Sequence, residues 1–207
     1  IERGQDVLIL VPEIGLINQL NRRIEVRLGI KPSQYHSGLT ENERFITWKK
    51  IQESKTRIIL GTRSAILAPF KNLGLIVVDE EHDISYKQQE GFRYSARDLA
   101  VMKAKNFNIP VILGSATPSL ESFNQHVNNK YKYLTLKKRA GNAKLPSMHL
   151  IDLNKGHSED GLSKLLIKSI NEHLENDGQI LVFINRRGYA PTLICKTCNF
   201  IAECSRC

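Results

Sequence analysis

Absences narrow the field first. The 207-residue chain contains no Gly-x-x-x-x-Gly-Lys-Ser/Thr segment, so a loop that cradles nucleotide phosphates is not within it. No uninterrupted apolar run approaches the ~18 residues a membrane span needs, and no secretory signal opens the chain. There is no internal repeat and no low-complexity tract. Cysteine is absent until Cys195, and nothing suggests export, so a disulfide framework is not expected. Acidic residues are outnumbered, 21 against 30 Lys plus Arg, and the net charge of +9 favours a polyanionic partner. The 41% hydrophobic content excludes a disordered tail, and at ~150 residues per domain the length fits one or two domains. The first residue is Ile1 rather than Met, and Cys207 closes a Cys-x-x-Cys pair, so the sequence is expected to be a piece of a longer protein.

What is present alternates strand and helix. Buried strands are expected at Asp6–Val11, Gln34–His36, Arg57–Leu60, Leu73–Val78 and Pro110–Leu113. Between them, Leu16–Leu28 is amphipathic, with Leu16, Leu20, Ile24 and Leu28 spaced for one face. Thr40 and Glu43 form a capping box for a helix running to about Glu53, and Ser95–Phe107 is a further helix. Strands apolar throughout and separated by helices indicate a parallel sheet covered on both faces. Ligands of such sheets sit at the carboxyl ends of the strands. Here those ends carry Pro12-Glu13, Gly61-Thr62-Arg63, Asp79-Glu80-Glu81-His82 and Gly114-Ser115-Ala116-Thr117. The basic stretch Lys137–Lys144 reads as a linker. A second unit is expected from Leu145, with strands at Met148–Leu153 and Gln179–Ile184 flanking a helix at Leu162–Leu174.

The acidic tip is the chemical centre. Adjacent carboxylates after a buried strand can divide two tasks of phosphoryl transfer: Asp79 holds Mg2+ through water, and Glu80 accepts the proton of the attacking water. The plainer reading is a solvated loop. Ser115 and Thr117 offer hydroxyls beside the neighbouring strand end, where they can bond the acidic cluster and report the phosphate state. Thr117 as N-cap with Pro118 at the first helical position also suits a helix start.

Thr62, Ser64 and backbone amides can bond phosphate oxygens and Arg63 adds charge, although Gly61-Thr62 also reads as an ordinary turn. In Ile84–Asp98, Tyr86, Phe92 and Tyr94 interleave with Lys87, Arg93 and Arg97: rings for unpaired bases, cations for the backbone. The plainer reading hides these rings in a core. Cys195-x-x-Cys198 and Cys204-x-x-Cys207 point to metal, with zinc the default. Only Asn199–Glu203 separate the pairs, a tight loop for one four-Cys site.

An apolar strand ending in Asp-Glu-x-His, followed by Ser-Ala-Thr, resembles motifs II and III of superfamily 2 helicases. VPEIGL at Val11–Leu16, GTRSA at Gly61–Ala65, DEEHD at Asp79–Asp83, GSATPS at Gly114–Ser119 and NRRGYAP at Asn185–Pro191, in that order before paired cysteines, are similar to the bacterial replication-restart DNA helicases. The resemblance spans essentially the whole chain. It implies an α/β, RecA-like parallel sheet with flanking helices over 1–140, a partial first lobe lacking its phosphate-binding loop. It implies the start of a second RecA-like lobe over 145–190, and the beginning of a cysteine-rich zinc-binding insertion over 191–207.

By the same resemblance, Asp79, Glu80, His82, Ser115 and Thr117 couple to nucleotide and Mg2+. Pro12, Glu13, Thr62, Arg63, Ser64, Tyr86, Lys87, Phe92, Arg93 and Tyr94 meet DNA. Cys195, Cys198, Cys204 and Cys207 supply half of each of two Zn2+ sites. The whole protein is expected to hydrolyse ATP, to move 3′ to 5′ on single-stranded and forked DNA, and to assemble the restart primosome with single-strand-binding proteins in the bacterial cytoplasm, without a membrane. The piece alone is expected to be inactive. Another superfamily 2 DNA or RNA helicase, or a non-catalytic zinc-containing DNA-binding module, are the alternatives.

Overall fold

The computed structural model describes residues 4–137, 146–153, 158–159, 162–183, 193–195, 197–198 and 200–202. The chain divides into two units, Ile1–Thr135 and Leu136–Cys207.

In the first unit the apolar runs form strands β1 (Asp6–Leu10), β2 (Ser33–Tyr35), β3 (Ile58–Gly61), β4 (Leu73–Val78) and β5 (Val111–Leu113). They make one sheet in the order β2-β3-β1-β4-β5, and every pairing is parallel. Parallel neighbours need long crossovers. Helices α1 (Ile14–Leu28), α2 (Glu41–Gln52) and α3 (Ala96–Phe107) lie in three of these connections. Leu8, Leu10 and Ile59 pack with Ile51 of α2 and with Ala96, Ala100 and Ala104 of α3. The opposite face, represented by Ile9 and Leu60, packs against α1. Burial on both faces is why these strands read as continuous Val/Ile/Leu. Each such side chain contributes ~1.5–3 kcal/mol over an exposed one.

Start and stop signals account for most helix bounds. Thr40 Oγ1 accepts from the Glu43 amide, and Glu43 Oε2 accepts from the Thr40 amide at 2.9 Å, closing the box on α2. Ser95 caps α3 by accepting from the Asp98 amide. α4 (Leu120–Val127) is capped by Ser119, not Thr117: the Ser119 hydroxyl accepts from the Ser122 amide, while Thr117 and Pro118 stay outside the helix. The buried stripe of α1 is also rotated from expectation. Ile17, Leu20 and Ile24 face the sheet, whereas Leu16 and Leu28 are 37% and 53% exposed. The helix begins two residues earlier than expected, and the 3.6-residue period carries its contact face through position 17.

In the second unit, β6 (Ser158–Glu159) and β7 (Leu162–Ser163) form an antiparallel pair. α5 (Lys164–Glu175) follows, capped by Ser163. β8 (Leu193–Ile194) and β9 (Ile201–Ala202) form a second antiparallel pair. The strands expected at 148–153 and 179–183 do not form: Leu150 is fully exposed, and Leu181 is 92% exposed. A fully apolar strand is stable only between paired neighbours and beneath helices, and among the described residues this unit has no parallel sheet to receive them. Most of the linker and the segment Asn185–Pro191 lie outside the described residues.

Candidate functional site

The expected motifs converge because the sheet ladder runs on past the strands. The Val11 amide donates to the Gly61 carbonyl at 2.9 Å, and the Asp79 amide to Leu10 at 2.9 Å. The Gly114 amide donates to Val78 at 2.8 Å, the Glu81 amide to Gly114 at 3.0 Å, and the Thr62 amide to Tyr35 at 3.3 Å. Pro12-Glu13, Thr62, the acidic tip and the 114–119 loop are thereby pinned along one carboxyl edge.

At the tip the chain turns sharply. Glu80 has φ +47°, in the left-handed region, at a cost of ~1–2 kcal/mol for an L residue. The Glu80 amide donates to Asp79 Oδ1 at 3.2 Å and the Asp83 amide to the Glu80 carbonyl at 2.9 Å, so the turn is held from both sides. Glu80 Oε2 lies 3.6 Å from His82 Nδ1, and the same nitrogen is hydrogen-bonded to Ser115 Oγ at 2.7 Å. A polar chain thus runs from the candidate base through His82 to the 114–119 loop. Ser115 Oγ also accepts from the Thr117 amide at 2.9 Å. Asp79 and Thr117 are exposed at this edge.

Glu81 is different. It is 2% exposed. Its carboxylate accepts from the Ser119 amide at 2.7 Å, the Ser119 hydroxyl at 3.0 Å and the Ser122 hydroxyl at 2.8 Å, and from Arg97 at 3.3 Å. Burial works to raise this carboxyl, but the Ser119 amide, the two hydroxyls and the guanidinium outweigh it and leave it below the ordinary range. Sequence reasoning gave Glu81 no role and offered Arg97 to DNA. Arg97 is instead buried, donating also to Asp98 at 2.9 Å and Ser119 at 2.9 Å. Arg97 is the second residue of α3, where the helix dipole disfavours a cation, and the buried Glu81 carboxylate offsets that.

The 84–95 loop splits its aromatic residues. Tyr86 is 1% exposed and its hydroxyl donates to the Asp79 carbonyl at 2.6 Å; this corrects its assignment as a base-stacking ring. Burial, with Asp79, Asp83 and Glu80 close by, pushes its phenol far up, so it stays a donor. Phe92 is 77% exposed and lies 5.9 Å from Tyr94, ring centre to ring centre. The Gln88 amide donates to the Tyr94 carbonyl at 2.8 Å, closing the loop's neck. Lys87 and Arg93 are exposed. Arg63 donates to the carbonyls of Ser85 and Lys87, both at 3.0 Å, and ties the Gly61–Ala65 segment to this loop; its guanidinium is engaged within the protein, while Ser64 is half-buried beside it.

Cys195 and Cys198 are exposed free thiols in the turn of the β8–β9 hairpin, where the Cys195 amide donates to Phe200 at 2.8 Å. Hydrogen bonds from the backbones of Cys198 and Thr197, and from the Cys198 thiol, hold the Cys195 thiol below its ordinary value, which favours the thiolate a metal binds. Two thiols in a hairpin turn fit half of a tetrahedral zinc set. Cys204 and Cys207 lie outside the described residues. Among the described residues no three metal-ligating side chains cluster, and no helix is long and apolar enough to cross a membrane.

The DEAD/DEAH box helicase family profile matches residues 1–126. Curated relatives match this chain nearly from end to end. The chain is 48% identical to the replication restart protein PriA of Haemophilus influenzae, covering 100% of this chain and 28% of that protein. It is 41% identical to that of Rickettsia conorii, over 99% of this chain and 32% of the relative. For Bacillus subtilis the values are 38%, 99% and 26%. The chain therefore spans roughly a quarter to a third of these relatives.

Proposed function

The chain belongs to the DEAD/DEAH box helicase family, and from that premise we propose that it is a segment of an ATP-driven DNA helicase that acts at stalled or repaired replication forks. Residues 1–140 would be most of the first motor lobe, 145–190 the start of the second, and 191–207 the start of a zinc-binding insertion. The observation carrying this reading is the Glu80–His82–Ser115 chain at the carboxyl edge of a parallel sheet. A candidate base and an exposed carboxylate at the carboxyl ends of parallel strands support the reading, because such sheets bind their ligands there.

In this reading Asp79 holds Mg2+ and Glu80 takes the proton of the attacking water. Magnesium, when bound with ATP, neutralises charge on the phosphates. Its preference for oxygen donors fits the exposed Asp79 carboxylate. His82, Ser115 and Thr117 pass the nucleotide state to the loop. Pro12, Glu13, Thr62 and Ser64 face the DNA backbone, with Lys87 and Arg93 adding charge beside Phe92 and Tyr94. ATP, forked DNA, primosome components and single-strand-binding proteins are the partners, in the bacterial cytoplasm. The 207-residue piece by itself does not turn over ATP.

The reading is tested by unwinding with the full-length protein. Forked DNA with a free 3′ single strand should be opened with ATP, and an RNA duplex should not. Preference for RNA would move the chain to another branch of the family.

Two further outcomes are expected. Phe92→Ala in the full-length protein should weaken single-stranded DNA binding about 5- to 150-fold, the value of one stacked base. An exposed ring contributes little to folding, so melting should barely move, and fluorescence anisotropy beside a thermal melt separates the two. Replacing Cys195 and Cys198 together by Ser should lower the zinc content of the full-length protein from about two ions per chain to about one, read by atomic absorption. An unchanged content would exclude this pair from the ligand set.

A further inference from the structure

The group left without a part in the chemistry is Glu81. It sits between Glu80 and His82 in sequence, yet its carboxylate is wholly committed to Ser119, Ser122 and Arg97. An anion at the start of α4 has the helix dipole in its favour, whereas Arg97 at the start of α3 has it against, and the ion pair offsets that. Three segments therefore meet on one buried carboxylate: the tip after β4, the 114–119 loop through Ser119, and the root of the 84–95 loop through Arg97. The other root is tied to the same tip by the Tyr86 hydroxyl on the Asp79 carbonyl.

We propose that Glu81 is a positioning residue for nucleotide turnover. By clamping the start of α4 it fixes the 114–119 loop and keeps Ser115 within reach of His82 and Glu80. Without the clamp the loop is free to drift, and the polar chain from Glu80 breaks at the Ser115 hydrogen bond. The clamp's contacts are Ser119, Ser122 and Arg97 rather than the Asp79 carboxylate, so the loss is expected on the turnover step. The inference rests on the motor reading above, because it assigns Glu81 a part in that reading's site.

The test uses the full-length protein, with Glu81→Gln and the milder Ser122→Ala, which removes one of the carboxylate's donors. Turnover is measured against ATP concentration at saturating single-stranded DNA, and kcat is normalised to sites titrated with a fluorescent ATP analogue, so that unfolded molecules drop out. Misplacement by an ångström costs about ten- to a hundredfold in kcat, while KM for ATP stays within about twofold. Ser122→Ala should fall in the same direction by less. A purely structural role would lower the number of titrated sites and leave normalised kcat unchanged. Normalised kcat within about twofold of the parent in both variants overturns the proposal. Should Glu81→Gln fail to fold, Ser122→Ala decides alone. A parent protein that does not hydrolyse ATP sinks the motor reading and this inference together; an active parent with equally active variants sinks only this one.

Discussion

Glu80→Gln in the full-length protein is expected to lower ATP turnover about a hundred- to ten-thousandfold, the range general-base catalysis supplies, with ATP binding retained. Gln keeps the volume of Glu and can still hydrogen-bond toward His82, but its amide cannot take a proton from water. The change should be nearly silent in folding. The Glu80 side chain is 44% exposed, and its carboxylate lies 3.6 Å from His82 Nδ1. The left-handed backbone at Glu80 strains Gln as it strains Glu, so the swap leaves that cost in place. Turnover by rapid quench, beside nucleotide binding by equilibrium titration, separates the two effects. Unimpaired turnover with intact binding would remove Glu80 from the proton transfer and leave the acidic tip a structural turn.

Local signals carried much of the fold. The capping box at Thr40 was legible because it is closed by residues three apart. The parallel sheet was legible because burial on both faces leaves an uninterrupted apolar run, as at β3, where every residue is buried. What failed depended on partners distant in sequence. Residues 148–153 and 179–183 have strand composition but find no parallel neighbours among the described residues. Tyr86 looked like its neighbours in the loop. Only the fold puts its hydroxyl on the Asp79 carbonyl and its ring in the core. Glu81 and Arg97 are sixteen residues apart, and nothing local to either names the other. The Glu80–His82–Ser115 chain was legible only in part. The motifs placed these residues on neighbouring strand ends, but the shared nitrogen of His82 needed coordinates.

Gly61→Ala is expected to destabilise the first unit by about 3 kcal/mol, although Ala is the better residue in most settings. Gly61 does not need glycine for a positive φ. It needs glycine because a Cβ there would sit 2.3 Å from the Ala65 Cβ and 2.5 Å from the Tyr35 carbonyl oxygen. Neither neighbour can give way cheaply. The Tyr35 carbonyl accepts from the Thr62 amide and belongs to the β2–β3 ladder. Ala65 is fully buried in the 3-10 turn Arg63–Leu67, and Lys103 anchors that turn by donating to the Ile66 carbonyl at 2.7 Å and to Ala68 just beyond it at 3.0 Å. Relieving the collision must therefore move the turn, which carries Arg63 and Ser64 and begins beside Thr62, so DNA affinity should fall with stability. Gly15→Ala is the internal control. A Cβ at Gly15 meets nothing within 4 Å, and in the first turn of α1 the change should stay within about 0.5 kcal/mol or stabilise slightly. Urea midpoints of the two variants should therefore move by very different amounts. If Gly61→Ala unfolded at the wild-type midpoint, the close approach of β3 to β2 and to the turn would be wrong, and with it the placement of Thr62 beside the acidic edge.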